Sequence, residues 1–309
     1  MNMVEVLPLQ KLRGELRLNE PMSKHVSWRA GGVAARTYAP ADVDDLAAFL
    51  RTLPRTEDLY FCGLGSNLLV RDGGVRATVV FTHWALRQIE LLSTGEHEIK
   101  IYAGAGIAAP KAARYAALHG AEGAEFLAGI PGTIGGALAM NAGCYGGETW
   151  DLVSSVTTID RDGQLHQRGR DQFQVAYRKV THGVQDSANE WFVAATLRVS
   201  KGSKEKSLNK IKQLLSIRIS SQPLQQPNAG SVFRNPPNDH AARLIEACGL
   251  KGTRIGGAEI SCKHSNFIVN TGGASAADIE GLIDLAQKTV GEKFGVALEL
   301  EVRIIGERA

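Results

Sequence analysis

Apolar and polar residues alternate with two different periods along this chain, and the switches between them mark out its elements. Val43, Leu46, Phe49 and Leu50 recur at helical spacing, so Pro40 to Leu53 reads as a helix with Ala41 and Asp42 near its start. Leu59-Tyr60-Phe61, Thr78 to Phe81 and Glu98 to Ala103 read as strands, closing a small α+β unit near Gly104-Ala105-Gly106. Alanine-rich Ala108 to His119, followed by Gly120, reads as a helix with a glycine stop. Val153 to Asp160 and Trp191 to Ser200 are β-branched and strand-like, with Asp160-Arg161-Asp162-Gly163 as a hairpin turn. Helical spacing returns at Leu208 to Ile219, through Ile211, Leu214 and Leu215. His240 to Cys248 and Ala276 to Phe294 read as helices, Asn266 to Asn270 as a strand, and Val296 to Ile305 as a closing strand. Residues 1 to about 25 read as an N-terminal helix or arm, and the polar run Ser200 to Ser207 as a linker, a helix N-terminus with a short loop, or both. Pro223, Pro227, Pro236 and Pro237 mark a loop-rich zone.

Length allows two or three ordinary domains: 309 residues, divided here as 1–103, 104–206 and 207–309. The fold class is α+β. A net charge of +3 is too small to imply nucleic acid as a partner. Cys62, Cys144, Cys248 and Cys262 form no C-x-x-C pair, which argues against a metal site and for thiols in a reducing compartment. The N-terminus lacks the apolar core of a signal peptide, and no apolar run is long enough to span a bilayer. A cytoplasmic protein without membrane insertion is expected.

Two glycine-rich segments carry the first chemical signal. Gly63-Leu64-Gly65-Ser66-Asn67-Leu68 follows a strand, and its glycines permit a sharp turn and close backbone approach. Ser66 and Asn67 add side-chain donors, a combination suited to pyrophosphate. Leu68 stands at the third glycine position of the dinucleotide fingerprint, so that motif is not met. The second segment, Gly129-Ile130-Pro131-Gly132-Thr133-Ile134-Gly135-Gly136, lacks the Gly-Lys-Ser/Thr ending of a P-loop. Each alone is equally a tight turn; together they suggest one extended cofactor held from two sides.

Three further segments hold candidate chemistry. Arg178, after Tyr177, is either a surface cation or a guanidinium clamp on a carboxylate. Ser231, between small residues, is a turn serine, a nucleophile or a proton donor; G-x-S-x-G is absent, which disfavours a hydrolase. Glu299, Glu301 and Arg303 fall on one face of the expected closing strand, as a solvated face or as the source of a catalytic acid.

Taken in order, Gly63 to Leu69, Ala128 to Gly136, Asn141-Ala142-Gly143, Tyr177-Arg178, Asn228 to Pro236 and Leu298 to Arg303 resemble the UDP-N-acetylenolpyruvoylglucosamine reductases of bacterial peptidoglycan synthesis. The resemblance runs from about Arg29 to Gly306. It implies a two-subdomain FAD-binding fold of the vanillyl-alcohol-oxidase/PCMH type, followed by a C-terminal α+β domain for the UDP-sugar substrate. It implies FAD and NADPH as cofactors and reduction of an enolpyruvyl ether to the lactyl ether of UDP-N-acetylmuramate. Carried over by motif, Arg178 matches the catalytic arginine, Ser231 the proton-donating serine and Glu301 the catalytic glutamate. Gly63, Leu64, Gly65, Ser66, Asn67, Leu68, Gly129, Ile130, Pro131, Gly132, Thr133, Gly135, Gly136, Asn141 and Gly143 would hold FAD. Tyr177, Gln222, Asn235 and Lys251 would meet substrate, with Arg234 keeping a charge where some members have lysine. The short span from Ser231 to Glu301 looks like the compact second type of the family. A monomer is expected. Two rivals stand beside this reading. One is a sugar or alcohol oxidase on the same scaffold, with His83 or Cys144 as candidates for a covalent flavin bond. The other is a non-catalytic nucleotide-binding module.

Overall fold

The computed structural model describes residues 12–182 and 190–309. The first unit is a sheet in the order Glu15–Pro21, Val33–Ala39, Val75–Phe81, Leu59–Cys62, antiparallel in its first pair and parallel thereafter. Both faces of its central strands are buried. Tyr38 and Val80 pack with Leu46, Phe49 and Leu50 of helix α1 (Val43–Thr52), while Ala77, Val79 and Phe81 pack with Met22, Val26 and Val70 on the other side. Asp42 caps α1 by accepting the Asp45 N–H at 2.9 Å.

The second unit is an antiparallel sheet ordered Leu165–Gly169, Val153–Ile159, Trp191–Lys201, Glu98–Gly104, Ile89–Thr94. Helix α2 (Ala109–Leu118) lays Ala109, Ala112, Ala113 and Ala116 on it, and its small side chains let helix α3 (Ile134–Met140) share the same core. Helix α4 (Lys204–Ser221) packs over α2, contributing Ile211 and Leu215 to that core. The third unit gathers helices α5 (Ala241–Ala247) and α6 (Ala276–Phe294) around short strands at Ala258–Ile260 and Ile268–Asn270. Ile279, Leu282, Ile283, Ala286 and Val290 give α6 its buried stripe. Ser275 and Asp278 form its capping box, and Gly295 at φ 67° ends it.

The units are tied across long sequence distances. Leu68–Val70 pairs in parallel with Arg303–Ile305. Trp28, fully buried, donates from its indole nitrogen to the Ile268 carbonyl at 2.7 Å. Asp72 accepts the N–H groups of Ala276 and Ala277, capping α6 from the first unit.

Four expectations are corrected. Glu98 to Ala103 does not close the first unit, because Glu98–Gly104 pairs with Trp191–Lys201 and Ile89–Thr94 inside the second sheet. The described part of the N-terminal arm is a strand at Glu15–Pro21, not a helix; residues 1–11 lie outside the described residues. Ser200 to Ser207 is not a linker but the helix start of the second reading: the strand runs to Lys201, and after a short loop α4 starts at Lys204 on a Ser203 N-cap. Val296 to Ile305 is not a continuous strand: only Arg303–Ile305 pairs as one, with a single bridge from Leu300 to Phe233 upstream. The bend between separates the acids. Glu299 is 76% exposed beside Arg234, whereas the Glu301 side chain is 17% exposed and turns inward.

Candidate active site

A cavity of about 1070 Å³ runs between the units. Both glycine loops form its wall, along with Arg178, Gln222, Ser231 and Glu301. The first loop is shaped by contacts behind it. Gly65 sits at φ 58°, its carbonyl accepts the Ser27 N–H at 3.1 Å, and a Cβ there would lie 2.2 Å from the His25 carbonyl oxygen. Only glycine fits. The two loops also touch: a Cβ on Gly63 would stand 2.4 Å from Thr133 Oγ1, and one on Gly132 would stand 3.0 Å from Ser66 Oγ. Among the described residues, no protein acceptor meets the backbone N–H of Leu64, Ser66 or Asn67. Gly136 opens onto the cavity, where an added Cβ would come no closer than 3.8 Å to Thr133 Oγ1. Such a cradle of free donors and missing side chains fits a dinucleotide pyrophosphate.

Asn141 ends α3 in the left-handed region at φ 41° and is fully buried. It accepts the Trp150 N–H at 3.1 Å and donates to Glu148 at 2.7 Å, so its side chain belongs to the scaffold behind the wall. It also donates to the Ala176 carbonyl at 3.3 Å, at the base of the hairpin that carries Arg178. That hairpin joins Phe173–Ala176 to Lys179–His182 through Tyr177 and Arg178, with Arg178 at φ 55°. A non-glycine residue held there stores backbone strain that the surroundings must sustain. The guanidinium is anchored at three points. Nε donates to Glu301 Oε1 at 2.6 Å, Nη2 to the Gly143 carbonyl at 2.9 Å and Nη1 to the Asn141 carbonyl at 3.4 Å. The Tyr177 ring covers it at 4.9 Å and is itself 45% exposed.

Ser231 follows Gly230, which is at φ 76° with open space where a Cβ would be. The Glu301 N–H donates to the neighbouring Val232 carbonyl at 2.8 Å, which brings the serine segment alongside the acid. Arg178, Ser231 and Glu301 thus converge at one end of the cavity. Of the other candidates, Gln222 is on the wall and accepts Arg218 Nε at 3.0 Å. Asn235 instead accepts the Ala241 N–H at 3.2 Å at the start of α5, and Lys251 pairs with Glu246 at 2.8 Å; both, like Tyr177, lie off the wall.

Sequence reasoning passed over Arg218 and placed Arg303 only on a charged strand face; both line the wall. Burial holds the Arg218 guanidinium below its ordinary range. The clue was an inverted helix end: Ile217 and Ile219, on either side of it, are 53% and 64% exposed. Arg178, Arg218 and Arg303 outnumber the acids on the wall, Glu190 and Glu301, and favour anionic ligands. Cys144 is on the wall, but burial pushes its thiol up to about 11, and Sγ donates to the Phe126 carbonyl at 3.1 Å. His83 is off the wall.

Comparison with known proteins settles the family. Residues 34–169 match a family model described as an FAD binding domain. Residues 222–305 match the C-terminal domain of UDP-N-acetylenolpyruvoylglucosamine reductase. A reductase of that name from Nitrosospira multiformis is 54% identical, over 100% of this chain and 94% of its own length. One from Methylococcus capsulatus is also 54% identical, over 96% and 94%. The chain belongs to the UDP-N-acetylenolpyruvoylglucosamine reductase family. The crystal structure of the Thermus caldophilus reductase superposes with a TM-score of 0.78 at 31% identity, covering 95% of this chain and 99% of that one. The protein is therefore a flavoenzyme with FAD and NADPH as cofactors, built from an FAD-binding fold and a C-terminal reductase domain. Family membership removes the oxidase and the non-catalytic module as readings. Among the described residues no helix is long and apolar enough to cross a membrane.

Proposed function

We propose that the protein reduces UDP-N-acetylglucosamine enolpyruvate to UDP-N-acetylmuramate with Arg178, Ser231 and Glu301 as its catalytic residues. The observation that carries this reading is the 2.6 Å contact of Arg178 with Glu301, beside the Ser231 segment and at the end of a glycine-lined cavity. The chemistry supplied by bound FAD is hydride relay from NADPH to the vinyl carbon of the substrate. Leu64, Ser66 and Asn67 would meet the pyrophosphate through backbone N–H groups, with Gly136 leaving it room and Gly132 letting the two loops close on one another.

Hydride arrival at the terminal vinyl carbon sends an electron pair into the neighbouring carboxylate. Arg178 has five N–H donors. Three engage Glu301, Asn141 and Gly143, which leaves one on each Nη for that carboxylate. Glu301 fixes the guanidinium plane, so the free pair is aimed before substrate arrives. The Ser231 hydroxyl then gives its proton to the second vinyl carbon, which completes the saturated lactyl ether. Arg218, Arg303 and Gln222 line the same end, where the anionic UDP-sugar would enter. The three-part division stands as a proposal with its boundaries moved: Ile89–Thr94 and Glu98–Gly104 belong to the second sheet, so the first break falls before Ile89 rather than at 103, and α4, which lies over the second part, already begins at Lys204 rather than after 206. We also infer a monomer working in the cytoplasm, where its nucleotide substrates are made. An anaerobic absorbance record tests the whole reading. NADPH should bleach the flavin and the enolpyruvyl substrate should restore its colour; a flavin that stays bleached on adding substrate refutes it.

A further inference from the structure

The peptide group of Glu301 is held from both sides by segments carrying other parts of the site. Its N–H donates to the Val232 carbonyl at 2.8 Å, one residue beyond Ser231. Its carbonyl accepts Asn67 Nδ2 at 3.0 Å, from a residue 234 positions away in the first glycine loop. The Asn67 carbonyl in turn accepts the Arg303 N–H at 2.9 Å, and the parallel ladder begins at the next step, Leu68 opposite Arg303. Asn67 therefore grips the acid's strand with both its side chain and its main chain. This bracing falls on the bend between Leu300 and Arg303, where strand pairing is interrupted. Without Nδ2, the Glu301 carbonyl loses the only side-chain donor it has among the described residues.

We infer that the Asn67 side chain is a positioning residue for Glu301, and through it for Arg178, rather than a ligand of the cofactor. The inference rests on the proposed role of Glu301. The Glu301 carboxylate sets Arg178 Nε at 2.6 Å, so a displaced Glu301 backbone moves the guanidinium aimed at the substrate. Misplacement of a catalytic group by about 1 Å costs on the order of 100-fold.

The test compares Asn67→Ala, Asn67→Leu (of nearly the parent volume, should alanine unfold the loop), Glu301→Gln and the Asn67/Glu301 double variant. Apoprotein titrated with FAD should quench flavin fluorescence with less than a tenfold loss of affinity in the Asn67 variants, since the substitutions remove the side chain and keep the backbone N–H placed against the pyrophosphate. NADPH should reduce their flavin at the parent rate. Reoxidation by the enolpyruvyl substrate should slow by about 10- to 100-fold. The double variant should be no slower than Glu301→Gln alone, a non-additivity that general loosening of the loop would not produce. A tenfold or larger loss of FAD affinity with normal reoxidation of the loaded fraction overturns the inference and returns Asn67 to the cofactor. Normal reoxidation in the Asn67 variants beside a slow Glu301→Gln overturns the inference alone. Parent-rate reoxidation in Glu301→Gln overturns the role of Glu301, and the inference with it.

Discussion

Replacing Arg178 with lysine separates charge from geometry at the reacting end. Both residues carry a positive charge and both would occupy φ 55°, so the backbone strain is common to parent and variant. The difference lies in the donors. The guanidinium satisfies Glu301, Gly143 and Asn141 at 2.6, 2.9 and 3.4 Å and still has two N–H groups to offer a carboxylate. An ammonium has three donors on one atom and cannot reach those acceptors and the substrate together. A hydrogen bond to a charged group is worth about 1.5–3 kcal/mol. Losing the two-point contact while keeping a point charge should therefore cost about 3–4 kcal/mol in the transition state. That corresponds to a fall of about 10²- to 10³-fold in kcat/KM for the enolpyruvyl substrate. Stopped-flow absorbance reads the two half-reactions separately: NADPH-driven bleaching should be unchanged and substrate-driven recolouring slow. The melting temperature should fall somewhat, because the Asn141 and Gly143 carbonyls lose their donor, while the protein stays folded. A variant whose recolouring lies within about tenfold of the parent, or less than ~1.4 kcal/mol, would falsify the two-point clamp.

Ser231→Ala should leave flavin reduction intact and slow the second half-reaction by about 10²–10⁴-fold, the usual worth of a positioned proton donor; parent-rate product formation in quenched flow would remove Ser231 from that role. Gly136→Val should give a folded but colourless protein, because its side chain would enter the cavity from an open position. Gly65→Val should instead lower the melting temperature sharply, since the added Cβ meets the His25 carbonyl; the same response from both glycines would contradict the cradle. Glu280 is held by Arg71 at 2.8 and 3.0 Å and by Arg308 at 2.8 Å, and the Arg71 hydrogen bonds draw its carboxyl below the ordinary 4.5. Its contribution is thus present above that pH and lost as pH falls through the lowered value. Glu280→Gln should cost about 1–2 kcal/mol at pH 7 in urea unfolding, and the gap should close in acid; a gap independent of pH would rule out the ionic contribution.

Much of the scaffold could be read from the chain, and the failures have physical causes. Helices α1, α2 and α6 carry regular apolar stripes, and Asp42 and Ser275 cap the starts of α1 and α6, so local signals and tertiary packing agree. The Glu15–Pro21 strand was hidden because Leu16 and Leu18 face outward, at 52% and 65% exposure. The hairpin bearing Arg178 has neither glycine nor asparagine at its tip; arginine takes the left-handed position, and no turn rule anticipates that. The alternation of Glu299, Glu301 and Arg303 suggested one strand face, but pairing to Phe233 and then to Leu68 from different directions bends the chain between them. The glycine loops and the Arg178, Ser231 and Glu301 motifs were legible through resemblance; their contacts with one another were not, because each bond spans distant parts of the sequence.

The pairing of Leu68–Val70 with Arg303–Ile305 has a consequence for biosynthesis. Residues contacting each other 234 positions apart leave the ribosome at very different times. A nascent chain halted before Arg303 has the first loop but not the strand that braces it. Stable acquisition of colour is then a post-translational event, and stalled chains ending at residue 299 should release flavin that the finished protein retains.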